Sequence, residues 1–306
     1  MRPVRNELER GIDHWKKSSH GETTLLERAE ATRLDGWHTN LIEPIAEPRR
    51  LVTVGPSNTE IVHALGLGRR IVGVDRWSDY PPRVQQLTRV GSDLRVDVEA
   101  VRGLRPDVVV ASLHVPGMED NLPAFERIGL TYVAVGGVGL GGVWEDVRYI
   151  GHWLGRSARA EALVQRMQAH MAEACRPPGD RKLRVHWEWS AHPVVAGRRS
   201  WITELLEMIG AENAYADLDV ESTRVSVAEV LERQPDVVVA CWCGVRRLPE
   251  LERVLRRPGW QAVEAFAERR VVVVSEAYFG RPGPRLVEGL QLLAGLLAQP
   301  RLAISD

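Results

Sequence analysis

Several things are scarce in this 306-residue chain, and each scarcity closes off a class of function. Cysteine occurs three times, as Cys175, Cys241 and Cys243, too few and too unevenly placed for a disulfide framework, as in a reducing compartment. Net charge is almost absent: 40 basic side chains face 41 acidic ones, with a pI near 6.8. A dedicated binder of nucleic acid or anionic membrane would carry a basic excess, so neither is expected as a partner. No apolar run approaches the 18 or so residues of a membrane span. The longest clean stretch, Leu290 to Ala298, reads as a terminal helix, and no membrane insertion is expected. The opening MRPVRNELERGIDHWKK is charged throughout and lacks the apolar core and cleavage site of a secretory signal. A cytoplasmic location is expected, with a periplasmic or cell-surface one as the alternative if the true start differs. Phenylalanine is scarce as well, three against ten tryptophans, so the indoles should serve something besides core filling.

What is present is alternation. Residues 1–48 carry mixed charge and no strand-like run, with a short helical stretch at Leu25 to Arg33, and read as an appendage. From Arg50, short β-branched runs (LVTVG, IVGVD, VVVA, YVAV) alternate with helical spacing, the pattern of a parallel sheet covered by helices. Helical spacing then persists from Val143 to Cys175, about 45 Å of helix at about 1.5 Å per residue, until RPPGD (Arg176 to Asp180) stops it. A second alternating region follows, with LRVHWEW, VVVA and VVVVS as strands. The length suits two lobes. The expected organisation is an N-terminal α/β lobe over 49–140, a bridging helix over 141–176 and a C-terminal α/β lobe over 177–306.

An internal repeat supports that division. VDVEAVRGLRPDVVVAS (Val96 to Ser112) and VSVAEVLERQPDVVVAC (Val225 to Cys241) share a short helix, a Pro-Asp turn and an identical strand, 129 positions apart. Two duplicated lobes joined by one helix leave a cleft between them. Ligands in open parallel sheets sit beyond the carboxyl ends of strands, so Leu113 to Gly117 and Cys241 to Gly244 are expected to face it.

GPSNTE (Gly55 to Glu60), GVDRWSDYPP (Gly73 to Pro82), GRRSWITELLEMIGAENAYAD (Gly197 to Asp217) and SEAYFGRPGPRLVEGLQLL (Ser275 to Leu293) together resemble the vitamin B12 and ferric-siderophore binding proteins of ABC importers. The resemblance runs over about residues 50 to 298. It implies two similar α/β lobes with parallel sheets, bridged by one long helix, that bind cobalamin, ferric siderophores or haem in the cleft between them. Trp-Ser-Asp-Tyr-Pro-Pro leans towards the corrinoid branch and places Trp77 against a corrin. Two further family aromatics fall on Asp93 and Ser112, and a family acid on Ala277; Tyr278, Phe279 and Arg281 match. One docking glutamate for a permease matches Glu99, while its partner falls on Ala228, with Glu229 one residue on. The displaced acid and the charged N-terminus favour a stand-alone cytoplasmic member over an importer component.

The residues themselves suggest how such a ligand would be held. A flat macrocycle needs aromatic faces, and Trp77, Tyr80, Trp187, Trp189, Trp201, Trp242, Tyr278 and Phe279 are the candidates. Trp187 and Trp189 share one strand face that reads equally well as core. Trp144, Trp153 and Trp260 read as packing. His114 is a candidate axial or polar contact, and Arg281 a partner for a ligand phosphate or carboxylate; His192 is a weaker cleft candidate, and His63 reads as structural. Cys241 and Cys243 with His114 could hold a soft metal, or the cysteines could be small buried apolar residues. Gly137 to Gly142 satisfies a dinucleotide-binding glycine pattern, but the long helix occupies the place of the strand and acid that pattern requires. No catalytic constellation stands out: Ser57 and Ser200 lack His and Asp partners, and Asp79, Glu188 and Glu276 read as pocket groups. The expectation is a non-enzymatic, solute-binding-type receptor with no required cofactor. Its ligand would be cobalamin or another metal chelate, and an ABC permease its candidate partner. A ferric-siderophore or haem binder, or a corrinoid-handling enzyme, is the alternative.

Overall fold

The computed structural model describes residues 36–176, 181–244 and 248–298. The appendage up to residue 35, with its helical stretch, and most of the RPPGD stop lie outside the described residues. In chain order the first half contributes β1 (Gly36–Thr39), β2 (Leu51–Thr53), α1 (Pro56–Val62), β3 (Ile71–Val74), β4 (Thr88–Arg89), α2 (Val98–Gly103), β5 (Val108–Ser112), α3 (Asn121–Arg127) and β6 (Tyr132–Gly136). They form a six-stranded sheet ordered β1-β6-β5-β2-β3-β4. It is parallel throughout except for β1, which runs antiparallel to β6. β5 and β6 are buried along their whole length, which is why they read as unbroken apolar runs.

The second half contributes α4 (Gly139–Trp153), α5 (Ser157–Ala174), β7 (Arg184–Glu188), β8 (Val194–Ala196), α6 (Trp201–Met208), β9 (Glu212–Asn213), β10 (Ser222–Arg224), α7 (Val227–Arg233), β11 (Val237–Ala240), α8 (Leu251–Leu255), α9 (Glu264–Ala267), β12 (Val271–Val273), α10 (Glu276–Phe279) and α11 (Leu286–Leu297). Its sheet is ordered β10-β8-β7-β11-β12, with β9 also beside β7. β7, β9, β11 and β12 are parallel, whereas β8 and β10 add an antiparallel edge.

Three expectations need correction. Gly36–Thr39, assigned to the strandless appendage, is a paired edge strand. The sheets are mixed at their edges rather than purely parallel. The long helix is two helices, because Gly155 takes a left-handed φ of 64° after Leu154, a common way for a helix to end. A Cβ there would come within 2.5 Å of the Ala46 carbonyl oxygen, so the position requires glycine. α5 then packs back on α4, where Gly151 allows the close approach of Ala160 and Arg148 pairs with Glu161. The largest hydrophobic cluster runs through both halves by way of α4 and α5.

The repeat survives in detail. Asp97 caps α2 and Ser226 caps α7 at equivalent positions. Arg105 and Gln234, each just before the shared proline, both take positive φ (46° and 41°). Asp107 accepts the backbone N–H groups of Arg49 and Arg50 just before β2, and Asp236 accepts that of Arg184 at the start of β7. Each Pro-Asp thus clips the neighbouring strand into register, so the turn and the strand are repeated together.

Candidate functional site

The carboxyl ends of the strands bring the GPSNTE and WSDYPP segments together. Gly55 has φ 95°, and a Cβ on it would meet the Ser112 Cβ at 2.8 Å, so a larger residue would push β5 away. Its N–H donates to Asp75 Oδ2 at 3.1 Å. Asp75, buried after β3, also accepts the backbone N–H groups of Trp77 and Ser78 and the Ser78 hydroxyl. Thr59 joins this cluster through Thr53 and Ser78 at 2.6 and 2.8 Å. These bonds fix the turn that carries Trp77, Asp79 and Tyr80.

From that floor an ion-pair clasp crosses to the second lobe. Arg281 reaches Asp79 Oδ1 at 2.6 Å and Glu60 Oε1 at 3.2 Å, and Arg285 lies 3.5 Å from the same Glu60 oxygen. The Arg285 guanidinium sits 4.6 Å from the Tyr80 ring centre and 4.5 Å from that of Tyr278, within cation–π range of both. Glu60 is buried and its Oε2 has no hydrogen-bond partner. Burial therefore outweighs both arginines and pushes its carboxyl up to about 7. Asp93 is pushed up to about 6, first by burial and then by the charges of Asp75 and Glu276. Glu276, raised mainly by burial, also senses Asp79 and Arg281. In this coupled set five carboxyl groups (Glu60, Asp75, Asp79, Asp93, Glu276) accompany two guanidiniums (Arg281, Arg285).

A row of rings makes the second crossing. Phe279 lies 5.0 Å from Trp187, Trp187 5.7 Å from Trp189, and Trp189 6.1 Å from Trp201. Trp201, which starts α6 and donates its indole N–H to the Phe279 carbonyl, meets the His114 ring edge to face at 6.0 Å. His114 follows β5 and has its Nε2 2.8 Å from Asp146 Oδ2 on α4. Asp146 is fully buried, and its Oδ1 accepts the Trp37 indole N–H at 2.7 Å and the Gly137 N–H at 3.0 Å. On the same side of the first lobe, Leu94 and Val115 follow β4 and β5 with about half their surface exposed.

The second lobe also contains a buried acid. Glu188 Oε1 accepts the Trp242 indole N–H at 3.0 Å and lies 2.9 Å from Arg257 Nη2; Oε2 faces His186 at 3.2 Å and Arg257 Nη1 at 3.0 Å. Burial acts to raise its pKa, but the hydrogen bond from His186 and the charge of Arg257 hold it below the usual glutamate value. His186 bonds onward to the Tyr215 hydroxyl at 2.7 Å. A hollow of about 550 Å³ beside Trp242, lined by Ala191, Arg253 and Arg257 among others, lies on the second lobe alone.

The expected site residues fall into two groups. Trp77, Tyr80, Trp189, Trp201 and Tyr278 are half-buried or exposed near the clasp and the ring row. Trp187, Trp242 and Phe279 are buried, so for these three the structure corrects a ligand-facing role to packing and hydrogen bonding within the lobe. Arg281 spends its charge on Glu60 and Asp79. The proposed metal set is overturned: among the described residues no cluster of three His, Cys, Asp or Glu could hold an ion. His114 is held by Asp146, and burial pushes the Cys241 thiol far up. Glu99 is exposed and pairs with Arg102 at 2.5 Å. Glu229 is occupied by a capping box with Ser226. Sequence reasoning missed Glu60, Asp146, Trp37 and Arg285. Glu60 was visible as the last residue of GPSNTE, but its partners come from more than 200 residues away.

Comparison with known proteins agrees with this architecture. The periplasmic binding protein family matches residues 51–278. The chain is 32% identical over 258 residues to the ABC transporter substrate-binding lipoprotein YvrC of Bacillus subtilis, covering 81% of this chain and 79% of that one. It is 25% identical over 281 residues to a vitamin B12-binding protein of Pectobacterium atrosepticum, covering 88% and 97%. The periplasmic haem-binding protein RhuT of Roseiflexus superposes with a TM-score of 0.69 at 26% identity, covering 80% of this chain and 96% of that one. With three quarters of its length matched, and with duplicated α/β halves meeting across a clasp and a ring row, this chain belongs to the periplasmic binding protein family.

Proposed function

We propose that this chain is a non-catalytic receptor for a corrinoid, gripped between the two lobes. The observation that carries this reading is the charge balance at the clasp: aromatic faces accompany surplus carboxyl groups, and both guanidiniums are already neutralised. Haem brings two propionates, and many ferric siderophores bring net negative charge. Either would meet Glu60, Asp93 and Glu276 at a clasp whose two arginines, Arg281 and Arg285, are already paired with acids, a costly pairing when partly desolvated. A corrinoid ring edged with amides carries no such penalty and offers a flat face to Trp77, Tyr80, Trp189 and Trp201. The vitamin B12-binding relative supports the same class. Its natural partner would be an ABC permease, met through Glu99 on α2, with the second lobe docking through something other than a matching acid.

The test is titration of the purified protein with cyanocobalamin, hydroxocobalamin, haemin and a ferric siderophore, followed by tryptophan quenching. Quenching by the cobalamins and recovery of unchanged ligand are expected. No cobalamin quenching up to about 100 μM, weak for a small-ligand site, would sink the corrinoid reading. Preferential quenching by haemin would transfer the site to the haem class, and chemical change of the bound ligand would make the protein an enzyme.

A further inference from the structure

We infer that Arg285 is a self-occluding plug: its guanidinium takes aromatic faces that the seam between the lobes would present to a flat ligand, and its side chain must swing out before such a ligand is gripped. This rests on the proposal that the chain binds a flat macrocycle between its lobes.

Two rings, one from each lobe, meet the same group. Tyr80 belongs to the WSDYPP turn of the first lobe and Tyr278 to α10 of the second, and the Arg285 guanidinium carbon lies 4.6 and 4.5 Å from their ring centres. A guanidinium is itself flat and delocalised, and it stacks on aromatic faces as a planar ligand does. The Arg285 side chain is only 12% exposed, so it covers both rings on the side where it lies. Tyr80 keeps 42% of its surface exposed, which leaves an incoming ligand a face to touch before the plug moves.

The two clasp arginines are held unequally. Arg281 Nη1 lies 2.6 Å from Asp79 Oδ1 and 3.2 Å from Glu60 Oε1. Arg285 reaches the same Glu60 oxygen only at 3.5 Å, the outer limit of a hydrogen bond, and its Nε is buried without a hydrogen-bond partner. Stacking therefore holds this guanidinium more than hydrogen bonding does, and a ligand with flat faces of its own competes for that stacking directly. A second seat lies outside. Glu288, one turn along α11, has a side chain 60% exposed and its Oε2 4.0 Å from Arg285 Nε. A change of side-chain torsions exchanges the buried contact with Glu60 for an exposed pair with Glu288, and leaves Arg281 bridging Glu60 and Asp79 across the seam. Arg281 is the fastening and Arg285 the plug.

Contacts made only in the plugged state subtract from ligand affinity, because the binding-competent state is then a fraction of the population. Removing the plug should therefore tighten binding, the opposite of what loss of a ligand contact or damage to the fold would do. Cyanocobalamin and haemin are titrated separately into the full chain, Arg285→Ala and Arg285→Lys, with tryptophan quenching as the readout. Arg285→Ala should bind whichever macrocycle the chain takes about tenfold more tightly than the wild type. Arg285→Lys keeps a cation beside Glu60 but lacks the planar fork, so it should bind about threefold more tightly; it decides the matter should Arg285→Ala fail to fold. Methylguanidinium at millimolar concentration should refill the slot in Arg285→Ala and weaken binding back towards the wild-type value, whereas methylammonium at the same ionic strength should not. Cobalamin binding by Arg285→Ala that is equal to or weaker than that of the wild type, or an equal effect of the two added cations, would overturn the inference while leaving the corrinoid reading intact. Tightening with haemin alone would support the plug and sink the corrinoid reading. Absence of quenching by both macrocycles in all three proteins overturns both.

Discussion

Each lobe buries a glutamate against arginine, and the two have opposite fates. Glu188 in the second lobe has both oxygens engaged by Arg257, Trp242 and His186, and stays ionised. Glu60 in the first lobe has two arginines near one oxygen and nothing on the other, and is pushed up to about 7. For Glu188 the hydrogen bond from His186 and the charge of Arg257 outweigh burial, whereas for Glu60 burial outweighs the charges of two arginines. The second lobe thus has a fixed internal ion pair, whereas the first carries a carboxyl that titrates at the seam between lobes.

The comparison breaks most sharply at Arg257. Arg257→Ala leaves Glu188 buried without its cation, a change that costs about 3–5 kcal/mol. At roughly 2–4 °C per kcal/mol for a domain of about this size, differential scanning calorimetry should show a loss on the order of 10 °C. A change under about 2 °C would mean that Glu188 is not ionised. Glu60 should respond to pH instead. Between its ordinary 4.5 and about 7 the folded chain keeps a proton that the unfolded chain has released. Stability from this group is therefore fully present below about 4.5 and is lost as pH rises to about 7. Asp93, raised from 3.8 to about 6, acts in the same direction. Glu60→Gln should flatten the melting profile between pH 5 and pH 8 and raise Tm at the alkaline end by a few degrees. An unchanged slope would remove Glu60 as its source.

A smaller effect tests the duplication. Asp107→Ala and Asp236→Ala remove the same strand clip from each lobe, and each should cost about 1–2 kcal/mol. Urea melts that differ by more than about 1 kcal/mol would show that the copies no longer carry equal weight. The smallest effect separates Glu99 from Glu229. Glu229→Ala should cost about 0.5–1 kcal/mol by loss of the capping box. Glu99→Ala, which removes one exposed ion pair, should leave stability unchanged within about 0.5 kcal/mol.

The sequence revealed the strands and the repeat because both are local. A VVVA run buried on both faces and a Pro-Asp turn look the same wherever they occur. The helix break was legible too, since Leu154-Gly155-Arg156-Ser157 carries the terminating glycine, but sustained helical spacing on either side masked it. Trp187 could not be told from Trp189, because alternation gives a shared face without saying whether that face ends in core or cleft. Asp146, Trp37 and His114 come from three separate stretches, and no spacing connects them. The Arg281–Glu60 contact likewise joins residues 221 positions apart.

The ring row has an optical consequence. Trp187, Trp189 and Trp201, with centres 5.7 and 6.1 Å apart, are close enough for their excited states to mix, which should give the protein a strong exciton couplet in its circular dichroism. Trp201 is the member that touches the opposite lobe. Any movement of the lobes that reorients its indole would change the couplet's amplitude, giving this protein an unlabelled reporter of opening and closing that needs no coloured ligand.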